Sequence, residues 1–210
     1  MSVTVITLPW MSVTDISGYN LPMTRWEPDS RRKLEQAAMT LYAERGLDDT
    51  TVAQIAGRAG LTERTFFRHF GDKREVLFGG AGALQDLLVG AVVGAPPEAP
   101  PIEAVAAGLD AIGTMFADRK PFAKVRQTII LSSAELQERE LIKLARLSAA
   151  VADAMRLRGV GDPAAGLTGE VAVAVFKVAF ERWVGDDERR DLSVLMRDGL
   201  DELKVVAAGG

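Results

Sequence analysis

Residues 50–78 read TTVAQIAGRAGLTERTFFRHFGDKREVLF, and this stretch carries the clearest signals for the fold of the chain. Thr51 and Gln54 have the spacing of a capping box, in which each side chain satisfies the other residue's backbone amide at the start of a helix. Gly60 suits a left-handed helix end, and Thr62 suits the N-cap of a second helix. The stretch therefore predicts two short helices joined by a glycine-containing turn, which is a helix-turn-helix layout.

A longer supporting helix precedes this pair. From Asp29 onward, apolar residues recur at the spacing of one buried helix face, and Gly46 ends the pattern. The residues of this face are Leu34, Ala37, Ala38, Leu41 and Tyr42. Together with the two short helices, this element predicts a three-helix domain.

The second short helix is expected to pack through its aromatic residues. Phe66 and Phe70 lie four residues apart, so both are predicted to point into the core. Gly71 is expected to end the helix. Asp72, with Glu75 three residues later, is expected to begin a longer helix, because this spacing favours a capped start.

The rest of the chain also has helical patterning. Gly94–Pro101 contains four prolines, which cannot continue a helix. Ser132-Ser133-Ala134-Glu135 has the spacing of a capping box, and Asp162-Pro163 places proline where a helix start tolerates it. Further helices are predicted over about 102–117, 122–131, 132–155, 163–184 and 188–206. The predicted fold class is all-α, with an N-terminal three-helix helix-turn-helix domain followed by a second helical domain.

Composition excludes several kinds of chemistry. The 210 residues include no Cys and one His, which removes disulfides, thiolate metal ligands, clustered His metal sites and a Cys nucleophile. A single His also leaves little room for a His-based catalytic triad. We therefore expect no enzyme activity, no metal and no cofactor.

Signals for membranes and targeting are weak. The apolar runs Leu87–Val93 and Val171–Phe180 are much shorter than the ~20 residues that a membrane helix needs. Met1–Trp10 has no preceding basic region and no cleavage site after it. We expect no membrane association and a cytoplasmic location. Residues 1–24 are predicted to be a disordered tail, and Met23 is a candidate alternative start.

Charge is distributed unevenly along the chain. The net charge is −4, which does not by itself indicate a nucleic-acid partner. Residues 24–78, however, carry ten basic and nine acidic side chains, so the excess of acidic charge lies elsewhere. Arg64, Arg68, Lys73 and Arg74 concentrate positive charge at one edge of the predicted helix-turn-helix.

The segment from Arg31 to Phe78 resembles the DNA-binding domain of TetR-family transcriptional repressors. The resemblance runs in register and without gaps, and it is carried by Thr50–Ala56, Ala59–Thr62, Thr65–Phe70 and Asp72–Leu77. It implies a DNA-binding domain over residues 25–78. It also implies a near-palindromic operator read by a homodimer, because two recognition helices must reach successive major grooves about 34–36 Å apart or a multiple of that distance.

The resemblance further implies which residues contact DNA: Thr51, Thr62, Arg64, Thr65, Phe67, Arg68, His69 and Lys73. Thr51 and Lys73 would each bind a phosphate. Arg64 is the favoured base reader, because a guanidinium can pair bidentately with guanine, and many relatives have glycine there. Phe67 stands where the family commonly has Tyr, which leaves it a packing role or a contact with a thymine methyl group.

Simpler interpretations stand beside some of these roles. His69 either contacts a phosphate from the helix surface or is a solvated histidine. In the simpler interpretation Lys73 and Arg74 form only a solvated face, and Arg58 is more typical of a solvated helix residue than of a DNA contact.

The second domain, residues 79–210, is implied by the resemblance to bind a small, mainly apolar effector. The candidate effector-binding residues are Met115, Phe116, Phe122, Arg126, Gln127, Phe176, Lys177, Phe180 and Trp183. The aromatic stripe among them is more typical of a core or a dimer interface than of a cavity wall.

A homodimer is expected to form through the last two helices. Their apolar residues are Val171, Val175, Val178 and Phe180 on one helix, with Leu192, Leu195, Met196, Leu200 and Leu203 on the other. Two alternatives remain open: a helical small-molecule carrier or enzyme that uses the same cavity, and a helical adaptor that binds another protein. Repression is the usual mode of the family, and the residues themselves do not distinguish it from activation.

Overall fold

The computed structural model of the protein describes residues 30–185 and 189–209. The tail and alternative start predicted within residues 1–24 lie outside these residues, as do positions 25–29. Within the described part the chain forms nine α-helices and one 3-10 helix: α1 Ser30–Arg45, α2 Val52–Arg58, α3 Glu63–His69, the 3-10 helix Glu75–Phe78, α4 Ala81–Gly94, α5 Pro101–Phe116, α6 Lys120–Leu131, α7 Ala134–Leu157, α8 Ala164–Val184 and α9 Leu192–Ala208. The all-α prediction is confirmed.

A first hydrophobic core joins α1, α2, α3 and the 3-10 helix. The predicted apolar face of α1 is buried, and Phe66 of α3 and Phe70, the C-cap of α3, belong to the same core. Ile129, Ile130 and Leu136 belong to the same core although they come from α6 and α7. The helix-turn-helix is therefore attached to the second domain through shared apolar packing.

A second core lies among α4, α5, α7, α8 and α9. Its fully buried side chains include Leu88, Leu109, Met155 and Met196. Helices α7 and α8 approach closely because Gly169 of α8 has no side chain. A Cβ at that position would collide with the carbonyl oxygen of Ser148 on α7.

Replacement of Gly169 by Ala is expected to destabilise the protein by about 1–3 kcal/mol, the usual cost of overpacking. The matched control is Gly90→Ala on α4, where an added Cβ meets nothing within 4 Å. That change is expected to raise the free energy of unfolding by up to ~1 kcal/mol, because Ala is the better helix former. Urea denaturation of both variants checks the pair. Equal effects of the two substitutions would contradict the close approach of α7 and α8.

The prediction of a longer helix that begins at Asp72 is wrong. Only one of the two expected capping bonds forms: Glu75 N donates to Asp72 Oδ1 at 2.7 Å, whereas Glu75 Oε2 accepts from Gly71 N, also at 2.7 Å, instead of from Asp72 N. Only a short 3-10 helix follows, with Arg74 in the N-cap position, and α4 begins separately at Ala81. The break falls at Gly79 and Gly80, because glycine is a poor helix former.

Three other predicted helix starts are shifted. Ser133 rather than Ser132 caps α7, because the Ser132 hydroxyl donates to the Ile129 carbonyl at the end of α6 instead. Pro163 precedes the first residue of α8, and α9 begins at Leu192 with Asp191 as its N-cap. Residue 188, where the last helix was predicted to begin, lies outside the described part of the chain.

Several residues predicted for a dimer interface are buried inside one subunit instead. They are Val175, Phe180, Leu192, Leu195, Met196 and Leu200. The exposed apolar side chains on the last two helices include one of the predicted residues, Val178, together with Leu167, Val194, Val205 and Val206. The regular apolar stripes of α8 and α9 thus pack mainly against their own subunit, and periodicity in the sequence does not distinguish this packing from a dimer contact.

By length and composition alone, Glu75–Gly94 is long and apolar enough to cross a membrane. This segment combines the 3-10 helix with α4, which is a longer stretch than the apolar runs considered above. One such segment is weak evidence, because core helices pass the same test. In this structure Leu88 and Val92 of α4 are buried against the second core.

Candidate DNA-binding surface and effector cavity

The helix-turn-helix is built by its caps. The Thr51 hydroxyl oxygen accepts from Gln54 N at 3.2 Å, and Gln54 Oε1 accepts from Thr51 N at 3.0 Å, which completes the capping box. Gly60 adopts a φ of +68° in the turn, a conformation that favours glycine. The Thr62 hydroxyl oxygen accepts from Thr65 N at 3.2 Å and starts α3. The predicted layout is thus confirmed in its local geometry.

One face of α3 is fixed to the core and the other faces solvent. Phe66 is fully buried, whereas the adjacent Phe67 is 56% exposed. Arg64 and Arg68 are exposed on the same outer side as Phe67. Among residues 30–185 and 189–209, neither guanidinium has a hydrogen-bond or ion-pair partner. The outer face of α3 therefore presents two unpaired cations and an aromatic ring.

Hydroxyl groups surround the start of α3. The hydroxyls of Thr62 and Thr65 lie 3.1 Å apart and are within hydrogen-bond distance. Thr51, at the start of α2, is exposed, and its hydroxyl oxygen is an acceptor in the capping box. Its hydroxyl proton is left to donate, as a phosphate contact requires.

His69 points toward α1 rather than outward. Its Nε2 lies 2.9 Å from the Ser30 hydroxyl oxygen. Burial, together with the nearby positive charges of Arg68 and Arg31, lowers the pKa of His69 below its ordinary value of 6.5. The ring is therefore neutral at neutral pH, and its contact with Ser30 places it at the edge of the domain core.

Lys73 lies against the turn between α1 and α2. Its Nζ donates to the carbonyl oxygens of Asp48 and Thr50, both at 2.9 Å. The Tyr42 hydroxyl donates to the Lys73 carbonyl oxygen at 2.5 Å, and burial raises the pKa of Tyr42. Two of the three ammonium protons of Lys73 are thus used inside the domain, which leaves one for a phosphate.

Arg58 is paired within the domain. Its guanidinium donates bidentately to the Glu44 carboxylate at 2.5 and 2.7 Å. This pair joins α2 to α1, so Arg58 has a structural partner that the solvated interpretation did not include.

A cavity of about 360 Å³ lies where α4, α5, α6, α7 and α8 meet the 3-10 helix. Six of the nine predicted effector-binding residues line it: Met115, Phe116, Phe122, Arg126, Phe176 and Phe180. Aromatic rings form one wall, with the Phe116 and Phe180 centroids 5.7 Å apart and nearly perpendicular. The cavity is thus mainly apolar on this side.

The other three predicted residues lie elsewhere. Gln127 and Lys177 line a neighbouring groove of about 310 Å³ that shares Phe176 and Phe180 with the cavity. Trp183 is buried behind the aromatic wall, with its ring 5.8 Å from that of Phe116.

The cavity is also lined by charged side chains, most of which sequence reasoning missed. Arg119, Lys143 and Arg146 line it with Arg126, and the acidic side chains are Glu35 and Glu140. Burial and the nearby Arg139 lower the pKa of Lys143. The sequence does contain a signal for these charged residues. One face of α7 has the helical spacing that brings together Glu140, Lys143, Leu144 and Leu147.

Arg126 makes more hydrogen bonds than Lys143, its neighbour in this charged lining. Its guanidinium donates bidentately to Glu140 of α7, at 3.0 and 2.6 Å. Its Nε donates to the Leu77 carbonyl oxygen of the 3-10 helix at 2.6 Å. One side chain therefore connects α6, α7 and the helix-turn-helix domain at the edge of the cavity.

A helix-turn-helix with an exposed α3, followed by a helical domain with a cavity, is the layout of a helix-turn-helix DNA-binding regulator. Residues 35–78 match the family described as bacterial regulatory proteins of the tetR family, and residues 99–208 match the MftR C-terminal domain. The chain belongs to the TetR family of transcriptional regulators, which are non-enzymatic DNA-binding proteins.

Individual relatives agree with this family. TcmR of Streptomyces glaucescens, an HTH-type transcriptional regulator, is 32% identical over 40% of this chain, and the match spans 37% of its own length. MftR of Mycobacterium tuberculosis, named for the regulation of mycofactocin biosynthesis, is 27% identical over 84% of this chain and 88% of its own. The structure of Thermus thermophilus FadR in complex with lauroyl-CoA has a TM-score of 0.55 and 21% identity, covering 83% of this chain and 93% of that one. That likeness shows the fold.

Proposed function

We propose that this regulator binds a near-palindromic DNA operator as a homodimer, acts as a repressor in the cytoplasm, and is released by a small, mainly apolar effector. The observation that carries the proposal is the outer face of α3, where Arg64, Phe67 and Arg68 are exposed and the two guanidinium groups have no partner in the described part of the chain. Exposed cations at the start of a recognition helix are the groups that read base edges and phosphates.

We assign DNA contacts in three groups. Arg64 reads a base, and Phe67 packs near a thymine methyl group or the sugar edge. Thr51, Thr62, Thr65, Arg68 and Lys73 bind backbone phosphates or adjacent base edges. His69 is assigned the weakest contact, because its ring is turned toward Ser30 and is uncharged at neutral pH.

We assign the domains as residues 25–78 for DNA binding and residues 79–210 for effector binding and dimerisation. The separate first core supports this division, although three apolar residues of α6 and α7 contribute to it. The dimer is assigned to α8 and α9. Val178, which is 65% exposed, and Leu167 are exposed on α8, and Val205 and Val206 are exposed on α9, which leaves apolar surface for a partner helix pair.

We assign the effector to the 360 Å³ cavity and infer that it is amphipathic, with an apolar body and an anionic group. The aromatic wall supports the apolar body. The charged lining supports the anionic group, because four basic side chains line the cavity against two acidic ones. Thermus thermophilus FadR, which shares the fold, was solved with lauroyl-CoA, a ligand of this chemistry.

Salt dependence of DNA binding tests the proposal. The purified protein is expected to bind duplex DNA, and the logarithm of its binding constant should fall linearly with the logarithm of the salt concentration. The reason is that each phosphate contact releases counterions. With three or more phosphate contacts in each of two subunits, the slope should be about −5 or steeper. A folded protein whose affinity for duplex DNA is weak and independent of salt would favour the carrier or adaptor alternatives instead.

A further inference from the structure

The ring of Phe78 at the end of the 3-10 helix is enclosed by three cationic side chains. The guanidinium carbons of Arg126 and Arg139 lie 5.5 and 5.3 Å from the ring centroid, and Lys143 Nζ lies 5.0 Å away. Phe78 is itself buried. These distances are within the range of cation–π attraction, so α6 and α7 both hold this ring. Residues 77–79, which lead from the 3-10 helix toward α4, are called the connecting segment below.

The same cations hold the backbone of this segment. Arg126 donates to the Leu77 carbonyl oxygen at 2.6 Å, and Lys143 Nζ donates to the Phe78 carbonyl oxygen at 3.3 Å. Arg31 of α1 donates to the next carbonyl oxygen, that of Gly79. Hydrogen bonds from α6 and α7 of the second domain and from α1 of the first domain therefore meet at the connecting segment.

Glu140 keeps Arg126 in this position through its bidentate pair. Both side chains of the pair are mostly buried, at 18% and 25% exposure. Arg126, Glu140, Lys143 and Phe78 all line the 360 Å³ cavity. A ligand in the cavity would thus touch the groups that hold the connecting segment.

We propose that Arg126 couples the effector to the operator: the anionic group of the effector competes with Glu140 for Arg126 and draws Arg126 and Lys143 away from the carbonyl oxygens of the 3-10 helix. This inference rests on the proposed function of the cavity. Release of the 3-10 helix frees the helix-turn-helix domain from its fixed orientation. An effector shifts the operator-binding state only through such a difference in contacts between the two states.

Two glutamine variants separate coupling from simple binding. Arg126→Gln removes a cation that both lines the cavity and holds the 3-10 helix. Arg146→Gln removes a cation that lines the cavity and has no contact with the 3-10 helix among the described interactions. Operator affinity is measured for the dimer alone and with saturating lauroyl-CoA as the probe.

The wild type is expected to lose 5- to 150-fold in operator affinity with the probe, the usual range of allosteric coupling. Arg146→Gln should bind the probe more weakly but respond as strongly at saturation. Arg126→Gln should bind the operator at least about fivefold more weakly without the probe, and respond less than twofold to it. Arg126→Lys, which keeps the charge without the forked donors, is measured alongside in case the glutamine variant does not fold, and is expected to lose most of the response.

The two failures are distinguishable. A wild type that binds no operator, or that binds it but does not respond to a probe shown to occupy the cavity, overturns the proposed function. The coupling role of Arg126 would be overturned by a different result. In that result the wild type responds to the probe, and both Arg126 variants bind the operator and respond to the probe as the wild type does. Calorimetric titration of each variant with the probe provides the occupancy.

Discussion

Replacement of Arg64 by Ala is expected to remove base preference at one symmetric pair of operator positions. A bidentate arginine–guanine contact contributes about 1–3 kcal/mol of discrimination, and a homodimer loses two of them. The affinity for the preferred operator should therefore fall by roughly thirtyfold or more. The prediction depends on the exposed guanidinium of Arg64, which has no partner among the described residues. Binding to operators altered at each position, measured at one salt concentration, locates the effect.

Arg58→Ala is the matched control for this prediction. Arg58 belongs to the same domain, but its guanidinium is already paired bidentately with Glu44 on α1. Its removal should leave base preference unchanged at every position. A uniform loss of affinity in Arg64→Ala, without a change at any one pair of positions, would show that Arg64 contacts phosphate rather than a base.

Replacement of Phe66 by Ala is expected to destabilise the protein by about 3–5 kcal/mol, the usual cost of removing a buried phenylalanine. Phe66 is fully buried in the first core, where its ring centroid lies 5.4 Å from that of Phe70. Loss of the ring leaves α3 without its main contact to α1. Thermal and urea denaturation should show the loss, and DNA binding should fall because the recognition helix is no longer fixed.

The neighbouring Phe67→Ala is the control, since Phe67 is exposed on the outer face of α3. It should leave the free energy of unfolding within about 0.5 kcal/mol of the wild type and still weaken operator binding. A large loss of stability in Phe67→Ala, or none in Phe66→Ala, would mean that α3 is rotated relative to the orientation described above.

Local signals predicted the helix-turn-helix well. The capping box at Thr51, the N-cap at Thr62 and the turn at Gly60 all depend on residues within four positions of one another. Such short-range hydrogen bonds are encoded directly in the spacing of polar and glycine residues. The proline-rich segment 94–101 likewise separates α4 from α5 as its composition predicts.

The sequence could not predict the hydrogen bonds between residues that are far apart along the chain. Arg126 bonds to a carbonyl oxygen 49 positions earlier, and Lys143 to one 65 positions earlier. Lys73 was predicted for phosphate, yet its ammonium group lies against the α1–α2 turn. These partners become neighbours only after the helices pack, so no local pattern specifies them.

The aromatic residues of α8 show why the sequence could predict the cavity only in part. Phe176, Phe180 and Trp183 share one face of α8, and periodicity alone does not distinguish a core from a cavity wall. In the structure the first two line the cavity and Trp183 lies behind them. The charged part of the cavity lining was missed because charged residues on α7 also fit a solvated helix face.

Selection from a random duplex DNA library by the effector-free wild-type protein tests whether α3 is a recognition helix. We predict enrichment of a near-palindrome whose half-site centres lie about 10–10.5 base pairs, or a multiple of that spacing, apart. The separation follows from two α3 helices that enter successive major grooves of one duplex. A well-folded dimer that enriches no sequence at low salt would contradict the assignment of α3 as a recognition helix.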